Sequence, residues 1–290
     1  MACHRFPGAW PSRPPNPPDR GVDQPVIRVC LAGATGWAGS ELARAIARTP
    51  DVALVAAVAR RHAGQPLGEV LGESRLTAVI QPSVREALAT PCDVLVEYTT
   101  PVTARENVLT ALEHGAHAVI GTSGLTDPDL AEIDGAARRH ARGVLACGNF
   151  ALTAVLLQRF AEMAARVIPQ WEIIDYAHDD KRDAPSGTAR ELAARLARVR
   201  TPLATVPIDQ TLGPREARGA TLGGSQVHSI RLPGYVISAE VAFGMPDQRL
   251  TIRYESGNSA VPYVDGALLA IRRVATLVGV HRGLDTVLDL

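Results

Sequence analysis

One stretch near the start limits the folds open to this chain more than any other. Val26-Ile27-Arg28-Val29-Cys30-Leu31-Ala32 reads as a buried strand and runs straight into Gly33-Ala34-Thr35-Gly36-Trp37-Ala38-Gly39. A helix follows, with Leu42, Ala45 and Ile46 on one face. Strand, glycine-rich turn and helix form the context in which such glycines mark dinucleotide binding. The helix start offers free N–H groups to a pyrophosphate, and glycine lets it come close. The spacing is Gly-x-x-Gly-x-x-Gly, a variant of the Gly-x-Gly-x-x-Gly fingerprint. Taken alone, it is also what a merely tight connection uses.

The next strand, Val52 to Val58, should end beside an adenosine ribose. NAD sites usually place an acid there for the 2′-hydroxyl. Here Ala59 stands in that position, followed by Arg60 and Arg61. Two guanidiniums suit a 2′-phosphate, which favours NADPH while leaving NADH possible. The plain alternative is a pair of solvated loop charges.

Strand and helix alternate from Val26 to Gly148. Ala104 to His114 and Asp127 to about His140 read as helices, and Ala118-Val119-Ile120 and Val144-Leu145-Ala146 as strands. This rhythm predicts an α/β fold, a Rossmann-type doubly wound parallel sheet. The rhythm then changes. A helix from Thr153 to Val167 leads to a strand, Trp171 to Ala177, and a helix over Glu191 to Val199 leads to a polar loop, Gly213 to Ser225. Strand candidates Val227–Leu232, Ser238–Phe243 and Arg249–Glu255 follow, predicting a second, α+β domain with a mostly antiparallel sheet. A helix from Tyr263 to Val278 should return to the first domain. The expected units are a disordered proline-rich tail over 1–25, a dinucleotide-binding domain over 26–148, a substrate and oligomerisation domain over 149–262, and a returning C-terminal helix over 263–290.

The strand-to-helix turn of the second unit reads Lys181-Arg182-Asp183-Ala184-Pro185-Ser186-Gly187-Thr188-Ala189. A helix start suits an anion. Ser186 and Thr188 add hydroxyl donors, Gly187 allows close approach, and Lys181 places an ammonium just upstream. Together they describe a cradle for a carboxylate with a proton donor beside it. The competing reading is a simple cap, with Asp183 or Ser186 at the helix start and Pro185 inside it.

Taken together, these segments resemble the 4-hydroxy-tetrahydrodipicolinate (dihydrodipicolinate) reductase family over roughly Val26 to Val274. The carriers are the Gly33–Gly39 turn, Asp93-Val94-Leu95-Val96-Glu97-Tyr98-Thr99, Ile120-Gly121-Thr122-Ser123-Gly124-Leu125, Gly148-Asn149-Phe150-Ala151 and the Lys181–Ala189 run. The last is the most specific. The resemblance implies that Tyr98, Thr99 and Gly121-Thr122-Ser123 lie against the cofactor, Gly121-Thr122-Ser123 at the nicotinamide and its ribose. It implies that Gly148-Asn149-Phe150-Ala151 is a hinge that also touches the cofactor. Ser186, Gly187 and Thr188 would bind a substrate carboxylate, Lys181 would be catalytic, and His178 would contact substrate. It further implies NADPH-dependent reduction of 4-hydroxy-tetrahydrodipicolinate in lysine and diaminopimelate biosynthesis, by a homotetramer.

The chain departs from the family pattern at named places. The first histidine of the family's His-His-x-x-Lys pattern, a proton donor, is Ala177 here. Alanine transfers no proton, so His178 or Lys181 must cover that role, or the acceptor differs. Ala151 stands where the hinge commonly has serine, Trp37 where the glycine turn commonly has arginine or lysine, and a later family histidine has no equivalent near Ser238-Ala239. Two other readings follow: a reductase or amine dehydrogenase for another imine or keto acid, and a non-catalytic NADP-binding sensor. Retention of Lys181 and the whole Pro185–Thr188 cradle argues against the sensor.

The rest bounds the setting. With 46% hydrophobic and 21% charged residues the chain is not a disordered one. Formal net charge is zero and no basic stripe is interleaved with aromatics, which argues against a nucleic-acid partner. Cys3, Cys30, Cys92 and Cys147 form no Cys-x-x-Cys pair, so neither a disulfide framework nor a zinc site is expected, in keeping with the cytoplasm. Cys147, close to the hinge, reads as an inert buried thiol rather than a nucleophile. The tail lacks the apolar core of a secretory signal, and no apolar run reaches membrane-helix length.

Overall fold

The computed structural model describes residues 25–288. The expected tail lies outside them up to residue 24. In chain order the first half reads β1 (Ile27–Ala32), α1 (Trp37–Ile46), β2 (Val52–Val58), α2 (Leu67–Leu71), β3 (Ile80–Gln81), α3 (Val84–Ala87), β4 (Val94–Glu97), α4 (Pro101–Glu113), β5 (His117–Ile120), α5 (Asp127–Arg139) and β6 (Gly143–Ala146). The second half reads α6 (Leu152–Val167), β7 (Gln170–Ala177), α7 (Gly187–Val199), β8 (Ala220–Leu222), β9 (Ser225–Arg231), β10 (Ile237–Met245), β11 (Gln248–Ser256), α8 (Val264–Arg273) and β12 (Gly279–Arg282).

The first sheet is parallel throughout, in the order β12-β6-β5-β4-β1-β2-β3. The order reverses between β1 and β4, and such a switch point is where ligands bind in open α/β sheets. The central strands are buried on both faces. Val29, Leu31, Val96 and Leu145 pack towards α1 and α8, while Cys30, Leu95, Ala118 and Val144 pack towards α4 and α5. Local chemistry sets the helix starts. Thr126 and Asp129 form a capping box ahead of α5, with Pro128 in its first turn.

The second sheet, β11-β10-β7-β9-β8, is mixed: β7 and β9 run parallel and the other pairs antiparallel. Residues 171, 173, 227, 241 and 243 of its inner face pack with α6 and α7.

Three local expectations are corrected. On α1 the buried small residue is Ala43, not Ala45, which is half-buried. The loop from Gly213 holds a short 3-10 turn over Arg215–Arg218 and β8. Gly223 and Gly224, at φ 55° and 85°, supply a two-residue hairpin into β9. The last helix stops at Arg273 rather than Val278. Gly279, at φ 83°, cannot continue a helix, and β12 pairs with β6 instead.

One ion-pair cluster ties α6 and α7 to the segment that follows β12 of the first sheet. Arg195 of α7 is 9% exposed at its side chain and bonds Asp285 Oδ1 at 2.8 Å and Glu162 of α6 at 3.2 Å. Burial works against the Asp285 charge, but the Arg195 hydrogen bonds and the Arg195 and Arg159 charges outweigh it and hold the carboxyl below its usual range. A carboxyl held low when folded stabilises above its unfolded range, and that contribution disappears as pH falls through the folded value. Asp285→Asn should therefore cost about 3 kcal/mol at neutral pH and much less once the pH is below the lowered folded value. Urea unfolding at the two pH values checks this, and equal losses at both would contradict it.

Candidate active site

The glycine turn forms as it does because two of its positions have no room for a side chain. Gly33 has φ 84°, and a Cβ there would meet the Tyr98 carbonyl. A Cβ at Gly39 would meet the Gly33 carbonyl. The Gly33 and Ala34 N–H groups both donate to the Val58 carbonyl, at 2.9 and 3.1 Å, which pins the turn to the end of β2. Helix α1 then starts with no side-chain cap and no acid in its first turn. Its free N–H groups form an anion site.

Two cavities flank this turn and share Thr99 and Thr100. The larger, about 690 Å³, is lined by Gly33, Thr35, Gly36, Arg60 and Arg61, together with Arg85 and Ser83, which the sequence did not single out. The smaller, about 350 Å³, is lined by Trp37, Ala38, Tyr98, Thr99, Gly121, Thr122, Ser123, Gly148, Asn149 and Phe150, with Tyr263 as a further wall. Of the expected cofactor residues, Ala34, Gly39 and Ala151 line neither cavity and are buried behind them. Trp37 stacks edge-on against Tyr263 at 5.6 Å, and Tyr98 against Phe150 at 5.8 Å. The Tyr98 hydroxyl is buried without a partner, and burial pushes that phenol up. An anion-binding turn, a basic end and an aromatic-walled end with an unpaired donor fit a phosphorylated dinucleotide.

Glu97, at the end of β4, underpins both cavities. It is fully buried, and its carboxylate accepts from the Thr99 N–H at 2.8 Å, the Thr99 hydroxyl, Asn107 Nδ2 at 2.8 Å and the Thr122 hydroxyl at 3.4 Å. Burial raises its pKa, and those hydrogen bonds oppose the rise. Cys147, next to Gly148, is buried and its thiol is pushed up by burial, in keeping with an inert role.

The second set of expected residues lies along the segment from the end of β7 to the start of α7. Ser186 caps the helix, its hydroxyl accepting from the Ala189 N–H at 3.3 Å. Its own N–H is taken by Asp175 Oδ2 at 2.8 Å. The backbone donors left for a ligand are those of Gly187 and Thr188. Lys181 Nζ lies 2.7 Å from Asp183 Oδ1, and that hydrogen bond holds the Asp183 carboxyl below its usual range. His178 is half-exposed, 2.7 Å from Asp179 and 3.1 Å from Asp180. Ala177, 1% exposed, ends β7 on the same face as Asp175. Tyr254 of β11 was also not foreseen. It hydrogen-bonds with Thr188, and burial pushes its phenol up to about 12. Lys181, His178 and the α7 start are not among the walls of the Tyr98 cavity, so the structure holds the two sets apart. Glu191 of α7 lies close to Gly148, at the start of the segment that connects β6 to α6.

Sequence profiles described as Dihydrodipicolinate reductase, N-terminus, and Dihydrodipicolinate reductase, C-terminus, match residues 27–150 and 153–288. A 4-hydroxy-tetrahydrodipicolinate reductase of Moorella thermoacetica is 40% identical over 265 residues, covering 91% of this chain and 98% of that one. One of Bacillus velezensis is 37% identical over 264 residues, with 91% and 98% covered. The solved structure of dipicolinate-bound dihydrodipicolinate reductase from Paenisporosarcina sp. TG-14 is similar at a TM-score of 0.80 and 31% identity, covering 91% of this chain and 100% of that one.

Gly121 offers a direct check on the smaller cavity, because a Cβ there would run into the Tyr98 and Phe150 rings. Gly121→Ala should displace the rings and weaken dinucleotide binding by about tenfold or more, the cost of overpacking a closed site. Fluorescence titration with NADPH measures it, and an unchanged Kd would show that this wall does not form the binding site.

Proposed function

The chain belongs to the dihydrodipicolinate reductase family, and from that premise we propose that it reduces 4-hydroxy-tetrahydrodipicolinate to tetrahydrodipicolinate, with NADPH as preferred reductant. The step lies in lysine and diaminopimelate biosynthesis. One observation carries the reading: Lys181 stands just ahead of a helix whose Gly187 and Thr188 N–H groups are free to take a carboxylate. The protein is a cytoplasmic homotetramer in this reading, assembled through the helix-free face of the second sheet.

When bound, the dinucleotide supplies a hydride from its nicotinamide. The chain does the rest. The Gly33–Gly39 turn and the α1 start hold the pyrophosphate, and Arg60 and Arg61 take the 2′-phosphate. Tyr98, Gly121 to Ser123 and Gly148 to Ala151 fix the reacting ring. Ser186, Gly187 and Thr188 hold one carboxylate of a small cyclic dicarboxylate imine. Residues 26–148 and 149–262 close at the hinge, with 263–290 anchored on the first, and closure excludes water and brings acceptor to donor. The 4-hydroxyl of the substrate leaves as water, which gives the conjugated imine that accepts the hydride. Lys181 then leaves Asp183, stabilises the enamine or carbanion that forms, and delivers its proton to the carbon that carries the charge. His178 contacts substrate.

A second reading is favoured by Ala177. This alanine faces the same side of β7 as Asp175 and offers no proton. The same fold and cofactor would then serve another imine or keto acid.

Lys181→Ala should fold, bind NADPH normally and lose most of kcat. His178→Ala should chiefly raise substrate KM, but lower kcat if it has taken over the proton role absent at Ala177. Steady-state kinetics on the dipicolinate precursor and on simpler imines decides this. Wild-type kcat in Lys181→Ala on every accepted substrate would remove Lys181 from the chemistry. Turnover of another imine alone would move the enzyme to the second reading.

Arg60→Ala should weaken NADPH by about 1.5–3 kcal/mol, the worth of one charge-assisted phosphate contact, and leave NADH nearly unchanged. Equal wild-type dissociation constants for the two cofactors would contradict the 2′-phosphate assignment.

A further inference from the structure

Asp175 is 1% exposed yet carries a carboxylate. It sits on β7 at the face turned towards α7. Its Oδ2 accepts from the Ser186 N–H at 2.8 Å, the Ser229 hydroxyl at 3.2 Å and Arg231 Nη2 at 2.7 Å. The same Nη2 donates to the Asp183 carbonyl at 2.8 Å. Arg231 Nη1 bonds the Asp175 and Ile230 carbonyls, at 3.3 and 3.0 Å. The parallel register of β7 and β9 produces this meeting, placing Ser229 beside Asp175 and Arg231 beside Ala177.

We propose that Asp175 and Arg231 act as a positioning pair that sets the carboxylate cradle and the base of the Lys181 loop, an inference that rests on the reductase reading above. The pair grips both ends of Asp183–Ser186. At one end it holds the Asp183 carbonyl, two residues after Lys181. At the other it consumes the Ser186 N–H and so fixes Ser186 as the cap. With that donor spent, the helix start presents Gly187 and Thr188 to the ligand and nothing else from its backbone.

The charges matter as well as the geometry. A bare carboxylate directly behind an anion cradle would repel a dicarboxylate. Arg231 cancels it while remaining only 16% exposed at its side chain. Neither group is needed for stability as such, since well-packed apolar residues commonly replace a buried ion pair without loss. An ionised pair earns its place here by aiming two hydrogen bonds that no apolar pair could make. Neither residue exchanges a proton with substrate; both act through Ser186, Gly187, Thr188 and Lys181.

The test uses the full chain and pyridine-2,6-dicarboxylate as probe. Its Kd, the NADPH Kd, kcat and the thermal midpoint are measured for wild type, Arg231→Ala, Arg231→Lys and the double variant Asp175→Asn with Arg231→Met. In Arg231→Ala the dicarboxylate Kd should rise by about tenfold or more, the loss of charged hydrogen bonds at the cradle. Turnover should fall with it while the NADPH Kd stays put. Arg231→Lys should recover dicarboxylate affinity, because the charge is restored, but not full kcat, because one ammonium cannot serve both Asp175 and Asp183 in the same way. The double variant removes both buried charges and should keep the wild-type thermal midpoint. It carries the test should the alanine variant fail to fold, and its dicarboxylate Kd should still rise about tenfold. Wild-type dicarboxylate Kd and kcat in folded Arg231→Ala or in the folded double variant would overturn the proposal. So would a parallel rise of both Kd values with a fall in thermal midpoint, which is what a merely structural pair would give. A wild type that binds NADPH but not the dicarboxylate would overturn the reductase reading itself.

Discussion

The first turn of an α-helix carries N–H groups that no carbonyl of the same helix can reach. In this chain two such turns carry the proposed ligand donors, α1 after β1 and α7 after β7. Much of the architecture around them keeps their donors free for a ligand. At α1, glycines at 33 and 39 let the turn fold tightly against the Tyr98 backbone, and no side chain caps the helix. At α7 the Ser186 hydroxyl caps the Ala189 N–H and Asp175 takes the Ser186 N–H, which leaves those of Gly187 and Thr188. The parallel order of the first sheet supplies the crevice for α1, and the segment Gly148–Ala151 connects β6 of that sheet to α6, which packs on the other.

How much of this was legible follows from how local each cause is. The Gly33 turn and the Ser186-Gly187-Thr188 start could be read directly, because glycine geometry and helix capping act over a few residues. The alternation to Gly148 was legible because strands buried on both faces leave continuous apolar runs. The β12 strand was not. Val274 and Leu277 extend the apolar spacing of α8, and only the pairing of Gly279–Arg282 with a strand more than a hundred residues earlier decides the matter. Asp175 and Glu97 were hidden for a related reason. A single acid in an apolar strand looks like an edge position. What makes it a buried hub is partners that come from elsewhere, Ser229 and Arg231 for one, Asn107 and Thr122 for the other. Arg85 and Tyr254 reach the site through tertiary packing alone.

Ala177 concentrates the chemical question. Reduction of an imine needs one hydride and one proton, and the strand end nearest the cradle supplies no proton. The remaining groups are ordered by their surroundings. His178 lies between two carboxylates at the surface, Tyr254 has its phenol pushed up by burial, and Lys181 is held by an aspartate that stays ionised. In the proposed mechanism Lys181 exchanges Asp183 for the substrate, and the buried Asp175–Arg231 pair holds the base of its loop through the Asp183 carbonyl and the Ser186 N–H.

The most direct test of the central claim is isotope transfer by the wild-type enzyme. Incubation with the 4-hydroxy-tetrahydrodipicolinate precursor and NADPH deuterated at nicotinamide C4, on the transferred face, is followed by mass spectrometry of the product. The account predicts tetrahydrodipicolinate carrying one deuterium, formed in step with cofactor oxidation. Cofactor left unoxidised in the presence of that precursor, or product without deuterium, would contradict it.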